Sequence, residues 1–238
     1  IDKNESKGTG LCNPSVLRHN NKLFINIRML NYTLYHSIGA KYWQDEGGKF
    51  PSRWGPLTYV HPEDDARLVT DNYFGIWDGR ETKFNKINMD LDTETIWNFA
   101  GLEDGRLVHW DDKIFITGVR RDTTDNGQGR MELSQLVELH HIPKEIYRVR
   151  IEHPTDPTRY CEKNWMPVRD LPFHYIMDAN PTRLVKADPD TGDCELVYEG
   201  DKVEIPTSMR GSSQVLSHNG GFFTVVHDTN WWRFEDRC

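Results

Sequence analysis

The sequence predicts an all-β protein and, within that class, a five-bladed β-propeller. Short apolar runs and period-2 alternation dominate the chain, and amphipathic helical windows are scarce. A degenerate unit recurs: a polar or charged motif, a short apolar strand, a polar turn and a second apolar strand. It is found at Asn13 to Arg28, Glu103 to Val119, Asn164 to Met177 and Ser212 to Val226, with a weaker copy at Arg67 to Trp77. Dividing the 238 residues by five gives about 48 per unit, in the range of a four-stranded blade. A β-sandwich with similar strand spacing is the rival architecture. In a propeller the innermost strands surround one axis, so motifs scattered along the chain converge on one pocket.

The elements follow in order. After a polar start, Asn13-Pro14-Ser15-Val16-Leu17 leads to a turn at His19-Asn20-Asn21, and Leu23 to Arg28 reads as a strand that Met29 to Leu34 continues. The Gly- and charge-rich run from Asp45 to Gly55 is a loop. Arg67 to Thr70 and Tyr73 to Trp77 are strands, with Asp78-Gly79 a tight turn. Lys113 to Gly118 is an apolar strand after Asp111-Asp112, and the polar stretch Arg120 to Arg130 is a loop before the strand Met131 to Leu139. Pro143 to Arg150 fits a short helix or an outer strand. Phe173 to Met177 follows, and then Arg183 to Lys186 and Cys194 to Tyr198 flank a turn at Asp188 to Gly192. Arg210 to Leu216, a turn at His218 to Gly221 and the strand Phe222 to Asp228 close the pattern. The whole chain, 1–238, is read as one propeller domain, and its start at Ile1 and end at Cys238 fit a domain cut from a larger protein.

Composition narrows the partners. Lys plus Arg is 29 against Asp plus Glu 37, and the net charge of −8 argues against nucleic acid or an anionic membrane surface. No apolar run approaches about 18 residues, so membrane insertion is not expected. Cys12, Cys161, Cys194 and Cys238 are widely spaced without a CxxC pair. That disfavours structural zinc and points to a reduced, cytoplasmic protein, with one or two disulfides in a secreted chain as the alternative. Eight Trp suit sugar sites or propeller cores.

The chemistry concentrates in Gly101-Leu102-Glu103-Asp104-Gly105-Arg106-Leu107. Two adjacent carboxylates and an arginine at the mouth of a strand suit sugar hydroxyls and a glycosidic oxygen, which need acceptors and a positioned acid. A surface turn with a Glu–Arg ion pair is the bland alternative. Trp165 reads as core packing, Asp122 and Asp125 as solvated loop residues with a second catalytic carboxylate as the alternative, and His140-His141 as a strand end. His227-Asp228 lacks a third ligand at metal spacing, so no metal and no cofactor are expected.

Asn13-Pro14-Ser15 followed by a strand ending in Arg28, together with Glu103-Asp104-Gly105-Arg106-Leu107, resembles the "NPA … R" and "EDPRI" motifs of glycoside hydrolase family 130 and the related glycosyltransferase family 108. Lys163-Asn164-Trp165 before a strand and His227 ending a late strand are similar to the same group. The resemblance implies a five-bladed propeller with an axial sugar site. It implies Asp104 as the catalytic acid, acting through a sugar hydroxyl, with Glu103 and Arg106 holding it and the sugar. Asn13, Arg28, Asn164, Arg210 and His227 become substrate-binding candidates. For phosphate, the loose candidates are Arg28, Arg120, Arg121, Arg169, Arg210 and His227, since a guanidinium binds two oxygens at once. Gly105 stands where the family has Pro and is expected to loosen the turn. The expected partner is a sugar or glycan, with a nucleotide sugar or phosphate at the same place. The expected function is a glycosyltransferase in glycan synthesis. The alternatives are a glycoside phosphorylase or hydrolase on mannoside-like substrates, and a non-catalytic glycan-binding propeller.

Overall fold

The computed structural model describes residues 10–36, 49–50, 57–60, 67–77, 79–89, 91, 99–124, 126–139, 142–206 and 208–228. Among these the architecture is all-β, without a helix. Asp125, His140 and His141 lie outside the described residues, as do most of the Asp45 to Gly55 stretch and Asp78.

The first sheet begins with β1 (Leu11–His19) and β2 (Lys22–Leu30). A small three-stranded sheet follows from β3 (Thr33–His36), β4 (Lys49–Phe50) and β5 (Leu57–Val60). The chain then returns as β6 (Leu68–Trp77) and β7 (Thr82–Lys86), giving the antiparallel order β1-β2-β6-β7, with β8 (Phe99–Ala100) beside β6. The second sheet is the meander β9 (Glu103–Trp110), β10 (Lys113–Arg120), β11 (Arg130–Leu139) and β12 (Ile142–Arg150). The third repeats it with β13 (Met166–Pro167), β14 (His174–Ala179), β15 (Thr182–Ala187) and β16 (Cys194–Glu199). A fourth unit holds β17 (Arg210–Gly211) paired with β20 (Val226–His227), and β18 (Leu216–His218) paired with β19 (Gly221–Phe223).

Each main repeat read from the sequence therefore opens a sheet or hairpin. Three of their first hairpins turn at adjacent residues that both have positive φ: Asn20-Asn21, Asp111-Asp112 and Asn219-Gly220. Asn, Asp and Gly tolerate this left-handed backbone, and the resulting turn matches the right-handed twist of the strands. Arg67 to Trp77 is not a separate copy. Its strand β6 pairs along its length with β2 and is the third strand of the first sheet. Nor does β2 run on to Leu34: it ends at Leu30, and Thr33–His36 pairs instead with Leu57–Val60. Pro143 to Arg150 belongs to an outer strand rather than a helix, paired with β11.

Neighbouring sheets pack face to face through apolar side chains. Leu17, Phe24, Phe74, Leu102, Leu107 and Ile116 fill the space between the first and second sheets. Trp110, Phe115, Leu133, Trp165, Tyr175 and Val185 fill that between the second and third. Trp110 and Tyr175 meet edge to face, their ring centroids 5.5 Å apart. Trp165 is 1% exposed, so it is core, as its sequence context indicated. Burying such a side chain stabilises by on the order of 1.5–3 kcal/mol.

Backbone contact is close where β10 meets the start of β9. A Cβ on Gly118 would lie 2.3 Å from the Glu103 carbonyl oxygen. Gly118→Ala is expected to cost about 1–3 kcal/mol, because backbone cannot yield as a side chain can. A lowered urea midpoint with an unchanged slope would show this; an unchanged midpoint would mean that the close approach is not needed.

Candidate active site

Asn13, Asp104 and Asn164 stand at the starts of the first three sheets, and all have left-handed backbone, with φ of 46°, 55° and 67°. The β1–β2 ladder shifts register between Cys12 and Ser15, and the β9–β10 ladder shifts opposite Asp104. These bulges turn Asn13 and Asp104 out of the strand alternation. Non-glycine residues in this conformation are uncommon, and Asn and Asp bear it best.

The three residues line one cleft of about 310 Å³, with Pro14, Gly105, Arg106, Lys163, Gly211, Ser212 and His227 among its other described walls. This volume falls at the lower end of small-molecule sites, roughly 300–1,000 Å³. Five of the eight residues singled out from the sequence thus converge here: Asn13, Asp104, Arg106, Asn164 and His227. Ser212 Oγ lies 2.6 Å from His227 Nδ1, and Arg210 is the strand partner of His227.

Arg28 organises the carboxylates from behind the cleft. Its Nη1 is 2.6 Å from Asp104 Oδ1 and its Nη2 is 3.3 Å from Glu103 Oε2. The same guanidinium donates to the Tyr32 hydroxyl at 2.9 Å, to Thr70 Oγ1 and, at 3.4 Å, to Asn13 Oδ1. Its burial disfavours the charge, but Glu103, Tyr32 and Asp104 together outweigh that and hold its pKa above arginine's ordinary value. Burial also pushes the neighbouring Cys12 thiol up, with Arg28 opposing and Asp104 adding.

Arg106 has a different task from the one its spacing suggested. Its Nη1 donates to the Trp165 carbonyl at 2.5 Å and its Nη2 to the Gly211 carbonyl at 2.9 Å, which ties the second sheet to the third and fourth units. Burial pushes its pKa down to about 10, against the opposing effect of Asp104. Arg106 is a buried part of the cleft lining, and the cation that pairs with Asp104 is Arg28. Gly105 is buried rather than in a loose turn: an added Cβ would lie 2.8 Å from Ile116 Cδ1, and its carbonyl accepts from Asn26 Nδ2.

Most of the other arginines are committed elsewhere. Arg120 pairs with Glu132 at 2.9 Å and with Asp122 at 3.3 Å. Asp122 is 3% exposed and accepts from the Gly101 amide at 2.8 Å, so it clamps the backbone before Glu103 instead of being solvated. Arg121 lies over the rings of Phe99 and Tyr160 with its Nε 3.8 Å from Glu103 Oε1, and Arg169 is exposed and donates to the Arg18 carbonyl. Arg210 lines a neighbouring cleft. Lys163 was quoted in its motif but not chosen from the sequence; the structure sets it in the wall beside Asn164. A larger cleft of about 850 Å³ between the first and second sheets shares none of the described residues around Asp104. Among the described residues, no three His, Cys, Asp or Glu side chains gather as a metal site, and no helix is long and apolar enough to cross a membrane.

No family model matches the sequence, and no curated protein matches it. The fold does match solved structures. A candidate glycosidase from Bacteroides thetaiotaomicron VPI-5482 aligns over 94% of this chain and 63% of its own, with a TM-score of 0.54 and 11% identity. A candidate glycoside hydrolase from Parabacteroides distasonis ATCC 8503 aligns over 90% and 60%, with a TM-score of 0.51 and 8% identity. A beta-1,2-mannobiose phosphorylase from Listeria innocua, in complex with beta-1,2-mannobiose, aligns over 93% and 69%, with a TM-score of 0.52 and 10% identity. The chain spans less than two thirds of the length of the first two. At these identities the likeness is one of fold, and it agrees with the remote resemblance to glycoside hydrolase family 130 that the motifs carry.

Proposed function

We propose that this chain carries the sugar-cleaving face of a five-bladed propeller, a glycoside phosphorylase on mannoside-like substrates with Asp104 as the acid. The observation that carries the reading is the cleft itself. Asp104 is the only carboxylate among its described lining residues, and Lys163 and His227 stand in the same wall. A hydrolase needs a second carboxylate to activate water. A phosphorylase needs instead positive or donating groups for an incoming phosphate. The transferase expected from the sequence ranks below it, because the solved structures of like fold carry glycosidase and phosphorylase names.

In the proposed reaction, a phosphate oxygen forms a bond to the anomeric carbon while the glycosidic C–O bond breaks. The leaving oxygen takes a proton from a sugar hydroxyl, and Asp104 in its carboxylic acid form replaces that proton, as the family resemblance implies; the carboxylate so formed stays paired with Arg28. Arg28 keeps the Asp104 carboxylate from swinging away, and Lys163 and His227 meet the phosphate.

Incubation with beta-1,2-mannobiose and inorganic phosphate is expected to yield mannose 1-phosphate and mannose. Free mannose formed at the same rate without phosphate would make the protein a hydrolase. Consumption of a nucleotide sugar would restore the transferase, and sugar binding without turnover of any of these would make it a binding module.

A further inference from the structure

The backbone that turns Asp104 toward the cleft is not one the residue adopts unaided. A φ of 55° costs free energy in a residue with a Cβ, and it persists only where the surroundings fix it. Those surroundings lie on the first sheet. Asn26 and Arg28 are two apart on β2, and Asn72 stands opposite Arg28 on β6, so the three share one face of the sheet. Arg28 takes the carboxylates of Glu103 and Asp104, and the two asparagines take the backbone. Asn72 Nδ2 donates to the Leu102 carbonyl at 2.8 Å, and Asn26 Nδ2 donates to the Gly105 carbonyl at 3.2 Å. These carbonyls come immediately before and after Glu103-Asp104. Asn26 Nδ2 also donates to Asn72 Oδ1 at 3.0 Å, which joins the two grips. A side-chain amide carries donors and an acceptor together, so one pair can link across and still reach both carbonyls. Gly105 admits the pair: a Cβ there would lie 3.0 Å from Asn72 Oδ1.

The arrangement carries a cost. Asn26 is 0% and Asn72 2% exposed, and Asn26 Oδ1 has no hydrogen-bond partner among the described residues. Phe24 and Phe74, farther along the same two strands, pack against the second sheet without that penalty. The amides are explained by the two carbonyls they hold. We propose that Asn26 and Asn72 are positioning residues, which keep the Glu103-Asp104 bulge left-handed so that the Asp104 carboxyl meets substrate at a fixed place. The inference rests on the reading of Asp104 as the acid and adds to it the residues that aim the acid.

Hydrogen exchange and kinetics on Asn72→Leu, which nearly keeps the volume and removes the amide, test it. The Gly101 and Leu107 amides donate to Asp122 and Ser15 on either side of the bulge. Their exchange is expected to quicken by at least about tenfold while the amides of β11 keep their rates. With beta-1,2-mannobiose and phosphate, kcat is expected to fall by about 10–100-fold, with sugar affinity held within a few-fold. Added to Asp104→Asn, the same substitution is expected to lower kcat by no more than about threefold, because the group it aims is already disabled. An unchanged kcat in Asn72→Leu, equal losses in the two backgrounds, or unchanged exchange at the two amides would each overturn the inference and leave the proposed function standing. A native protein that turns over nothing would remove the acid reading, and the exchange rates would still decide whether the pair holds the bulge. If Asn72→Leu does not fold, Asn26→Ser, which withdraws the hold on Gly105, is read in the same way.

Discussion

Asp104→Asn is expected to lower kcat by about 10²–10⁴-fold, the usual contribution of a general acid, and to leave sugar affinity within a few-fold. The substitution suits the backbone. Asparagine accepts the φ of 55° as well as aspartate does, and its amide oxygen can still take the hydrogen bond from Arg28 Nη1. What it lacks is a proton to deliver. Asp104→Ala is a poorer probe, because it combines the lost acid with a strained left-handed alanine and an unpaired Arg28 arm. Steady-state kinetics with mannobiose and phosphate, alongside a sugar titration, separate chemistry from binding. Turnover within about tenfold of the native protein would take the acid's role away from Asp104. The glutamate next to it, whose carboxylate shares Arg28, would then be the first residue to examine.

Asp104 was marked by its neighbours Glu103 and Arg106, and Asn13 and Asn164 by the motifs they resemble; that all three have left-handed backbone on one cleft follows from the bulges and the packing, not from a signal read at them. The turn at Asn20-Asn21 was legible because short polar side chains between apolar runs tolerate left-handed backbone. What failed were inferences about partners. Arg67 to Trp77 has the apolar run of a repeat, but a run does not say which neighbour it joins, and here it pairs with β2. Arg106 sits two residues from Asp104, and regular strand alternation would put both on one face. Both do line one cleft, but Arg106 is buried and reaches the carbonyls of Trp165 and Gly211, 59 and 105 residues away, partners that nothing local marks. Asp122 looked like a loop carboxylate because nothing local marks the Gly101 amide as its partner. Arg28 was marked by its motif, but its two carboxylate partners follow only from the packing of the second sheet against the first.

Arg28→Met is expected to be the most damaging single change at the site, costing about 3–5 kcal/mol of stability and most of the activity. The arginine is buried, with 7% of its side chain exposed, and faces two carboxylates that are themselves mostly covered. Methionine fills much of the same volume, so the loss would come from charge and not from a cavity. Among the described residues Glu103 would keep only Arg121, whose Nε is 3.8 Å away, and Asp104 would lose its 2.6 Å ion pair. Thr70 and Tyr32 would also lose their shared donor. Arg28→Lys keeps the charge but cannot reach all of these acceptors from one planar group, and it should fall between the two. Urea unfolding of the double variant, Arg28→Met with Asp104→Asn, separates charge from packing. If the uncompensated carboxylates cause the instability, neutralising Asp104 should restore stability to the Arg28→Met protein by about 1–3 kcal/mol, although the same change does not stabilise the native protein. Purely additive losses would mean that Arg28 acts through its hydrogen bonds to Thr70 and Tyr32, and that its hold on the acid is incidental.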